Sequence, residues 1–161
     1  MNTTVAASIP SEYEIERNKP MPSLNHSLIQ ANLIFQIIQA YRKHYSVASE
    51  LSLDLSDWES VPDLSIYPKL IFDSQNDVVQ MTLPPLCTIE IISPSQSINE
   101  LKAKANNYFS HGVKSCWIVV PVLENIYVFS SPTEYQIFRA HETLRDEMLD
   151  ISISLKEVFE G

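Results

Sequence analysis

Apolar positions in the first long stretch of the chain recur every three to four residues, which is the spacing of one helix face. In SLNHSLIQANLIFQIIQAYRKH this stripe is formed by Ile29, Leu33, Ile37 and Tyr41. Ser23 and Asn25 lie at the start of the stretch, and both side chains can accept hydrogen bonds from the free N–H groups of a first helical turn. The pattern predicts a long amphipathic helix.

Later apolar residues alternate with polar ones or form short runs between prolines, which is typical of strands. The segments with this pattern are ELSLDLSD, VPDLSIYP, PPLCTIEIIS, KSCWIVVPV, NIYVFSS, EYQIFRA and DISISL. A turn is predicted near Glu124–Asn125, and the polar stretch FDSQNDVVQMT is predicted as a loop or irregular hairpin. EYQIFRA is expected at a sheet edge, and a short helical turn is expected after DISISL.

A second helix is marked at both of its ends. Ser97 and Glu100 form the S-x-x-E pattern of a capping box, and Gly112 follows the last turn of ELKAKANNYFSH. The passage from Ile89 to Val120 therefore reads as a crossover between parallel strands, while the other strands look antiparallel. We expect an α/β fold, α+β-like in its mixed central sheet flanked by helices, in a single domain over residues 1–161.

Composition and charge limit the functional classes. The chain has 161 residues, 45% of them hydrophobic, with no apolar segment of membrane-spanning length and no secretory signal pattern. Cys87 and Cys116 lie far apart in apolar stretches and read as buried thiols of a reducing compartment, so a cytoplasmic location without membrane contact is expected. The formal charge of −9 argues against a protein that coats nucleic acid. It suits a protein-binding or small-molecule domain, and an enzyme that touches nucleic acid briefly through a metal ion could tolerate it.

Glu90 interrupts the apolar run CTIEIIS, where a charged carboxylate is costly unless something pairs with it. Asp63 opens the preceding predicted strand, so the two acids can converge on one site. Two carboxylates at close range repel each other unless a cation lies between them. A hard divalent ion such as Mg²⁺ fits this need. The alternative is that Glu90 is a strand residue satisfied by a protein partner and Asp63 a turn residue.

Lys104 shares a helix face with Glu100 and Tyr108, and this face could approach the two acids. Two acids with a lysine suit metal-assisted phosphodiester hydrolysis, in which the ion activates water and the lysine assists at the phosphate. An exposed ion pair between Glu100 and Lys104 is the alternative. Tyr108 and Trp117 read as core aromatics, and His26 as a residue that packs or hydrogen-bonds at a helix start.

The segments VPDLSIYP, PPLCTIEIISPS and ELKAKANNYFSHGVKSCWIVV together resemble the bacterial Uma-type restriction endonuclease family, a branch of the PD-(D/E)XK nuclease superfamily. The resemblance extends from YEIERNKPMPSLNHSLI to ISISLKEVF. It implies a restriction-endonuclease-like core, with Asp63 as the PD aspartate and Glu90 as the second acid. Ile92 stands where a lysine would follow that acid, and the lysine role falls on Lys104.

The same resemblance implies a metal-dependent DNA endonuclease that binds Mg²⁺, with Mn²⁺ as a possible substitute. Asp63, Glu90 and the backbone carbonyl of Ile91 would be the metal ligands, and DNA would be a transient substrate of a homodimer. Glu14, in an expected N-terminal strand, could be an additional acid of the site.

Two departures from the family pattern keep a second function open. Arg17-Asn18 stands where a turn usually carries glycine, and Val120-Pro121 stands where Asp-Pro is usual. The missing aspartate before Pro121, the acidic charge and the small number of basic residues favour a catalytically inactive nuclease-like fold that serves as a protein-interaction or binding domain.

Overall fold

A six-stranded sheet forms the centre of the computed structural model, which describes residues 9–160. Its strand order is β1-β4-β6-β7-β8-β9. The bounds of these strands are Tyr45–Ser49 (β1), Leu64–Pro68 (β4), Cys87–Ile91 (β6), Ser115–Val120 (β7), Asn125–Phe129 (β8) and Tyr135–Arg139 (β9). Only the β6–β7 pair is parallel within this sheet, and the other neighbours are antiparallel. The expected mixed sheet and its parallel crossover are confirmed, and β9 lies at an edge as predicted.

Two smaller sheets accompany the central one. The strands are Ser52–Asp54 (β2), Glu59–Ser60 (β3) and Gln80–Met81 (β5) in one sheet, and Thr143–Asp146 (β10) and Ile151–Ser154 (β11) in the other. Strand β5 pairs with β2 in parallel, so the expectation that all strands outside the crossover are antiparallel is wrong at this pair. Strand β5 lies within the polar stretch predicted as a loop or irregular hairpin, where alternation is weak.

The helices are Glu12–Arg17 (α1), Leu24–Tyr41 (α2), Ile98–Ser110 (α3) and Leu155–Val158 (α4), with a 3-10 turn at Pro121–Leu123. Helix α2 begins after Ser23, whose hydroxyl accepts the N–H of His26. Helix α3 begins after Ser97, whose hydroxyl accepts the N–H of Glu100. It ends before Gly112, which has a φ of +97° as expected for a residue that terminates a helix. Over residues 9–160, no helix has the length and apolar character needed to cross a membrane.

The two faces of the central sheet bury different helices. The stripe of α2 packs with the alternate residues Cys87, Ile89 and Ile91 of β6 in one core. Helix α3 packs over the other face, where Leu101 and Tyr108 join Cys116 and Ile118 in a second core. Because side chains alternate along a strand, Glu90 lies on the α3 face. The orientation of Glu90 predicted from the period of two is confirmed.

The expected N-terminal strand is wrong, because residues 12–17 form helix α1 instead. Ser11 and Glu14 make a complete capping box, in which Ser11 Oγ accepts the Glu14 N–H and Glu14 reaches back to the Ser11 backbone. This reciprocal pair satisfies two free N–H groups and favours a helix over the extended chain. Asn18 ends α1 with a φ of +51°, the left-handed conformation that a glycine would adopt at this turn.

Candidate metal-binding and catalytic site

Three acids lie in one row across neighbouring strands of the central sheet. The β4–β6 register pairs Leu64 with Ile89, and the next step of this antiparallel pairing places Asp63 opposite Glu90. The β1–β4 register pairs Ser49 with Leu64, and its next step places Glu50 opposite Asp63, where the Glu50 N–H donates to the Asp63 carbonyl. Residues directly opposite on adjacent strands point to the same face. The sheet therefore brings Glu50, Asp63 and Glu90 to the wall of one small cavity.

Asp63 is 1% exposed, and both of its carboxylate oxygens are bound by protein donors. Oδ2 accepts the backbone N–H of Ile91 at 2.7 Å and lies 3.1 Å from His26 Nε2. Oδ1 lies 2.5 Å from the ammonium nitrogen of Lys19. Burial would raise the pKa of Asp63, but the hydrogen bond from His26 and the charge of Lys19 outweigh it and lower the pKa to about 2. Asp63 is therefore an anion at neutral pH.

Glu90 receives two donors on one of its oxygens. Lys104 Nζ lies 2.7 Å from Glu90 Oε1, and the Tyr108 hydroxyl donates to the same oxygen at 3.0 Å. Ser60 Oγ lies 2.6 Å from that hydroxyl, so Ser60, Tyr108 and Glu90 form a buried chain of hydrogen bonds. Burial raises the pKa of Tyr108 well above its usual value and Glu90 raises it further, so the hydroxyl keeps its proton and donates. Helix α3 thus supplies both groups that hold Glu90.

Burial raises the pKa of Glu90 above its usual value, and the nearby charge of Asp63 adds to this, while Lys104 and Lys19 lower it. Asp63 and Glu90 therefore have pKa values moved in opposite directions. Such a divergence between neighbouring acids is common at functional sites, because one acid can then hold a proton at a pH at which the other is ionised.

A second lysine lies between two of the acids. Lys19 Nζ is 2.9 Å from Glu50 Oε2 and 2.5 Å from Asp63 Oδ1, and the Lys19 side chain is 9% exposed. Burial opposes its charge, but Asp63 and Glu90 and the hydrogen bonds to Asp63 and Glu50 keep the pKa of Lys19 above its usual value. The row of three acids thus contacts two ammonium groups, that of Lys19 at Glu50 and Asp63 and that of Lys104 at Glu90.

The donor chemistry at this cavity fits a hard divalent cation, because carboxylate oxygens are the ligands that Mg²⁺ and Mn²⁺ prefer. A cation, the Lys19 ammonium, already occupies the position between Asp63 and Glu50. Among residues 9–160, no three His, Cys, Asp or Glu side chains are arranged around a common point as ready metal ligands. The residues therefore suit the ion in type, while one coordination position is taken by Lys19.

An open groove adjoins the acids. It is lined by the ends of α1 and α3 and by the small β2–β3–β5 sheet, and its charged residues include Arg17, Lys19, Lys104, Glu16, Glu59 and Glu100. Positive and negative side chains therefore both line it. Lys19 and Lys104 belong to both the groove and the acid row, so the groove leads to the site.

The predicted residues Asp63, Glu90 and Lys104 do lie together, and the alternative ion pair of Lys104 with Glu100 is replaced by the pair with Glu90. Ile91 lies at the site through its backbone N–H, which binds Asp63, and metal binding by its carbonyl stays a prediction. Glu14 is used in the cap of α1. His26 hydrogen-bonds at the start of α2, as expected, and its partner is Asp63.

Sequence reasoning missed Lys19 and Glu50. Lys19 meets Asp63 across 44 residues of chain, a separation at which spacing carries no signal. Glu50 could have been found from the strand pattern, had YSVAS been recognised as the neighbour of VPDLSIYP. Its place in the row then follows from antiparallel register alone.

Comparison with solved structures supports a nuclease-like mixed α/β fold. The chain is similar to a structure described as "a putative nuclease belonging to DUF820" from Anabaena variabilis, with a TM-score of 0.76 and 23% sequence identity. The match covers 88% of this chain and 83% of that one. At this identity the likeness shows the fold.

The family follows from the sequence itself. The family model Uma2, described as "Putative restriction endonuclease", matches residues 7–156. The chain belongs to this family, and the resemblance drawn from its motifs is confirmed. A comparison with curated proteins found no match.

Proposed function

We propose that this protein is a divalent-metal-dependent DNA endonuclease of the PD-(D/E)XK type. The observation that carries the proposal is the convergence of three side chains: Asp63 and Glu90 line one cavity, and Lys104 Nζ lies 2.7 Å from Glu90. Membership of a restriction endonuclease family supports DNA as the substrate.

In this proposal Asp63, Glu90 and the carbonyl of Ile91 hold Mg²⁺, and Mn²⁺ can replace it. When bound, the ion lowers the pKa of a coordinated water and offsets charge that develops on the phosphate. Lys104 remains at Glu90, where its ammonium can orient the attacking water and stabilise the negative charge on the phosphate oxygens. The Tyr108 hydroxyl fixes the Glu90 carboxylate by a hydrogen bond, and His26 with the Ile91 N–H fixes that of Asp63.

Plasmid nicking tests the proposal. Supercoiled plasmid is incubated with the protein and Mg²⁺ or Mn²⁺, and nicked circles are measured over time. Asp63→Asn, Glu90→Gln and Lys104→Met should each lower the rate by about 100-fold or more, because each removes a ligand or a charge that acts in the transition state. Lys43→Met is the matched control, since Lys43 is exposed in the turn after α2. Equal nicking rates for wild type and Asp63→Asn would contradict the proposal.

The second candidate function, an inactive nuclease-like fold that acts as a binding domain, is favoured by one contact. Lys19 holds the oxygen of Asp63 that a metal ion would need. If wild type and the three site variants all leave the plasmid intact with either metal, the binding domain becomes the better account.

The homodimer is a further proposal, since two sites would be needed to cut both strands of a duplex. Sedimentation velocity of the purified chain tests it directly. A single species of twice the 18.3 kDa chain mass is expected, and a monomer at all concentrations would contradict it.

A further inference from the structure

While Lys104 pairs with Glu90, the Lys19 ammonium neutralises the Glu50 and Asp63 part of the acid row. It contacts Asp63 Oδ1 at 2.5 Å and Glu50 Oε2 at 2.9 Å, and it lines the same cavity as Glu90 and His26. Its side chain is 9% exposed, so bulk water does little to screen these contacts. Removing this charge would leave Asp63 with His26 and the Ile91 N–H, and Glu50 with Arg17.

A divalent ion and Lys19 need the same oxygen of Asp63. Oδ2 is already bound by the Ile91 N–H and His26, which leaves Oδ1 for a metal. Mg²⁺ binds oxygen at about 2.0–2.1 Å, and two cations this close to one oxygen repel each other strongly. An ion can therefore take its place on Oδ1 only when the ammonium leaves it.

The helix that precedes Lys19, α1, is held to the rest of the chain by few apolar contacts. Helix α1 has no buried residue, so little apolar area holds it to the rest of the chain. Polar contacts to Glu50 hold the end of this helix. Arg17 donates to the Glu50 carbonyl and lies 3.7 Å from the Glu50 carboxylate, which Lys19 also contacts. The ion pair of Arg17 with Glu50 is partly exposed to water, and pairs of this kind contribute little to stability.

We propose that Lys19 is an internal competitor of the catalytic metal ion: its ammonium closes the site at rest, and the divalent ion binds by displacing it. The proposal rests on the proposed function. Displacement also frees Glu50, which lies beside Asp63 in the row and can then serve as a third acid of the metal site.

Isothermal titration calorimetry with Mn²⁺ tests the proposal on the full chain. Lys19→Met removes the ammonium but keeps a side chain of similar length, and Lys43→Met is the control for loss of an exposed lysine charge. Lys19→Met should bind Mn²⁺ about tenfold more tightly than wild type or better, because the competitor is gone. Lys43→Met should bind as wild type does. Equal or weaker binding by Lys19→Met would overturn the proposal.

Asp63→Asn, placed in the Lys19→Met background, distinguishes failure of the Lys19 proposal from failure of the metal site itself. If Lys19→Met binds no tighter than wild type while Asp63→Asn abolishes binding, the competitor is wrong and the metal site stands. If neither wild type nor Lys19→Met binds Mn²⁺, both the competitor and the metal-dependent function are wrong.

A measurement on the wild-type protein covers the case in which Lys19→Met does not fold. Reductive methylation followed by peptide mass spectrometry reports the accessibility of each lysine amine. Mn²⁺ should increase modification of Lys19 severalfold and leave that of Lys43 unchanged. Lys19 modification that stays constant across the Mn²⁺ titration would overturn the proposal.

Discussion

Asp63 and Glu90 are both buried carboxylates, and each has a separate set of donors. Asp63 is held by Lys19, His26 and a backbone N–H, and Glu90 by Lys104 and Tyr108. The need for such partners follows from the cost of burying a charge, so it could be predicted from Glu90 alone. Lys104 could also be predicted, because helical spacing placed it one turn before Tyr108.

Tyr108→Phe should destabilise the protein by about 1–3 kcal/mol, because it leaves Ser60 Oγ and Glu90 Oε1 each short of a buried hydrogen bond. Urea unfolding measures this change. Tyr135→Phe is the control, since it removes a hydroxyl from a half-exposed residue of the edge strand. A loss for Tyr108→Phe no larger than that of the control would show that the hydroxyl does not support Glu90.

His111 should titrate above its ordinary pKa of 6.5. The cause is its hydrogen bond to the Asn107 carbonyl, with the Asp57 carboxylate second, and both ring nitrogens have an acceptor at 2.7 Å. The protonated ring therefore contributes stability that is present below the unfolded pKa and lost as the pH rises through the folded pKa. NMR titration of wild type and Asp57→Asn checks this. Asp57→Asn should lower the pKa of His111, and an unchanged titration curve would rule out the ion pair.

Lys19 and Glu50 mark the limit of what residue spacing can predict. Both reach Asp63 only through tertiary structure, one by the path of the chain after α1 and the other by the pairing of β1 with β4. Neither contact has a local pattern. Two of the acids and one lysine could thus be predicted from the sequence, whereas Glu50 required the pairing of β1 with β4 and Lys19 required the coordinates.

At the scale of elements, helix α1 shows how a local contact overrides an apparent alternation. YEIE alternates as a strand does, but Ser11 and Glu14 close a capping box that selects the helix. The S-x-x-E pattern was present in the sequence, as it was for α3, where it gave the right start. Strands β1 and β10 were missed because their residues are half-buried or alternate over only four positions.

Asn18 and Gly112 give a matched test of the helix ends. Asn18→Gly should be neutral or stabilise by a few tenths of a kcal/mol, because Asn18 already has a left-handed φ of +51°. Gly112→Ala should destabilise by about 1–2 kcal/mol, because a φ of +97° strains any side chain and the new Cβ would meet Pro84 at 3.4 Å. Thermal unfolding measures both, and equal changes in the two variants would contradict these end structures.

At the scale of the whole molecule, the charge of −9 constrains how a nucleic acid can bind. A protein of this charge gains little from phosphate neutralisation, and the groove carries as many acids as bases. We therefore expect divalent ions to provide most of the attraction for DNA, by offsetting the acid row and bridging to phosphate.

Fluorescence anisotropy with a labelled duplex and Ca²⁺ checks this expectation. Ca²⁺ should tighten DNA binding by about tenfold or more, since it neutralises the buried acids. Glu90→Gln should lose most of this gain, while Lys43→Met should keep it. Tight binding in a chelator, with no response to Ca²⁺, would show that the groove binds DNA without the metal site.

We propose that the acid row of Glu50, Asp63 and Glu90 is a metal site that Lys19 closes. Anomalous diffraction from crystals soaked in Mn²⁺ tests it most directly. The account predicts one anomalous peak within about 2.0–2.5 Å of carboxylate oxygens of Asp63 and Glu90, with the Lys19 ammonium moved off Asp63. Crystals with no peak at these acids, and with Lys19 still on Asp63 at high Mn²⁺ concentration, would contradict it.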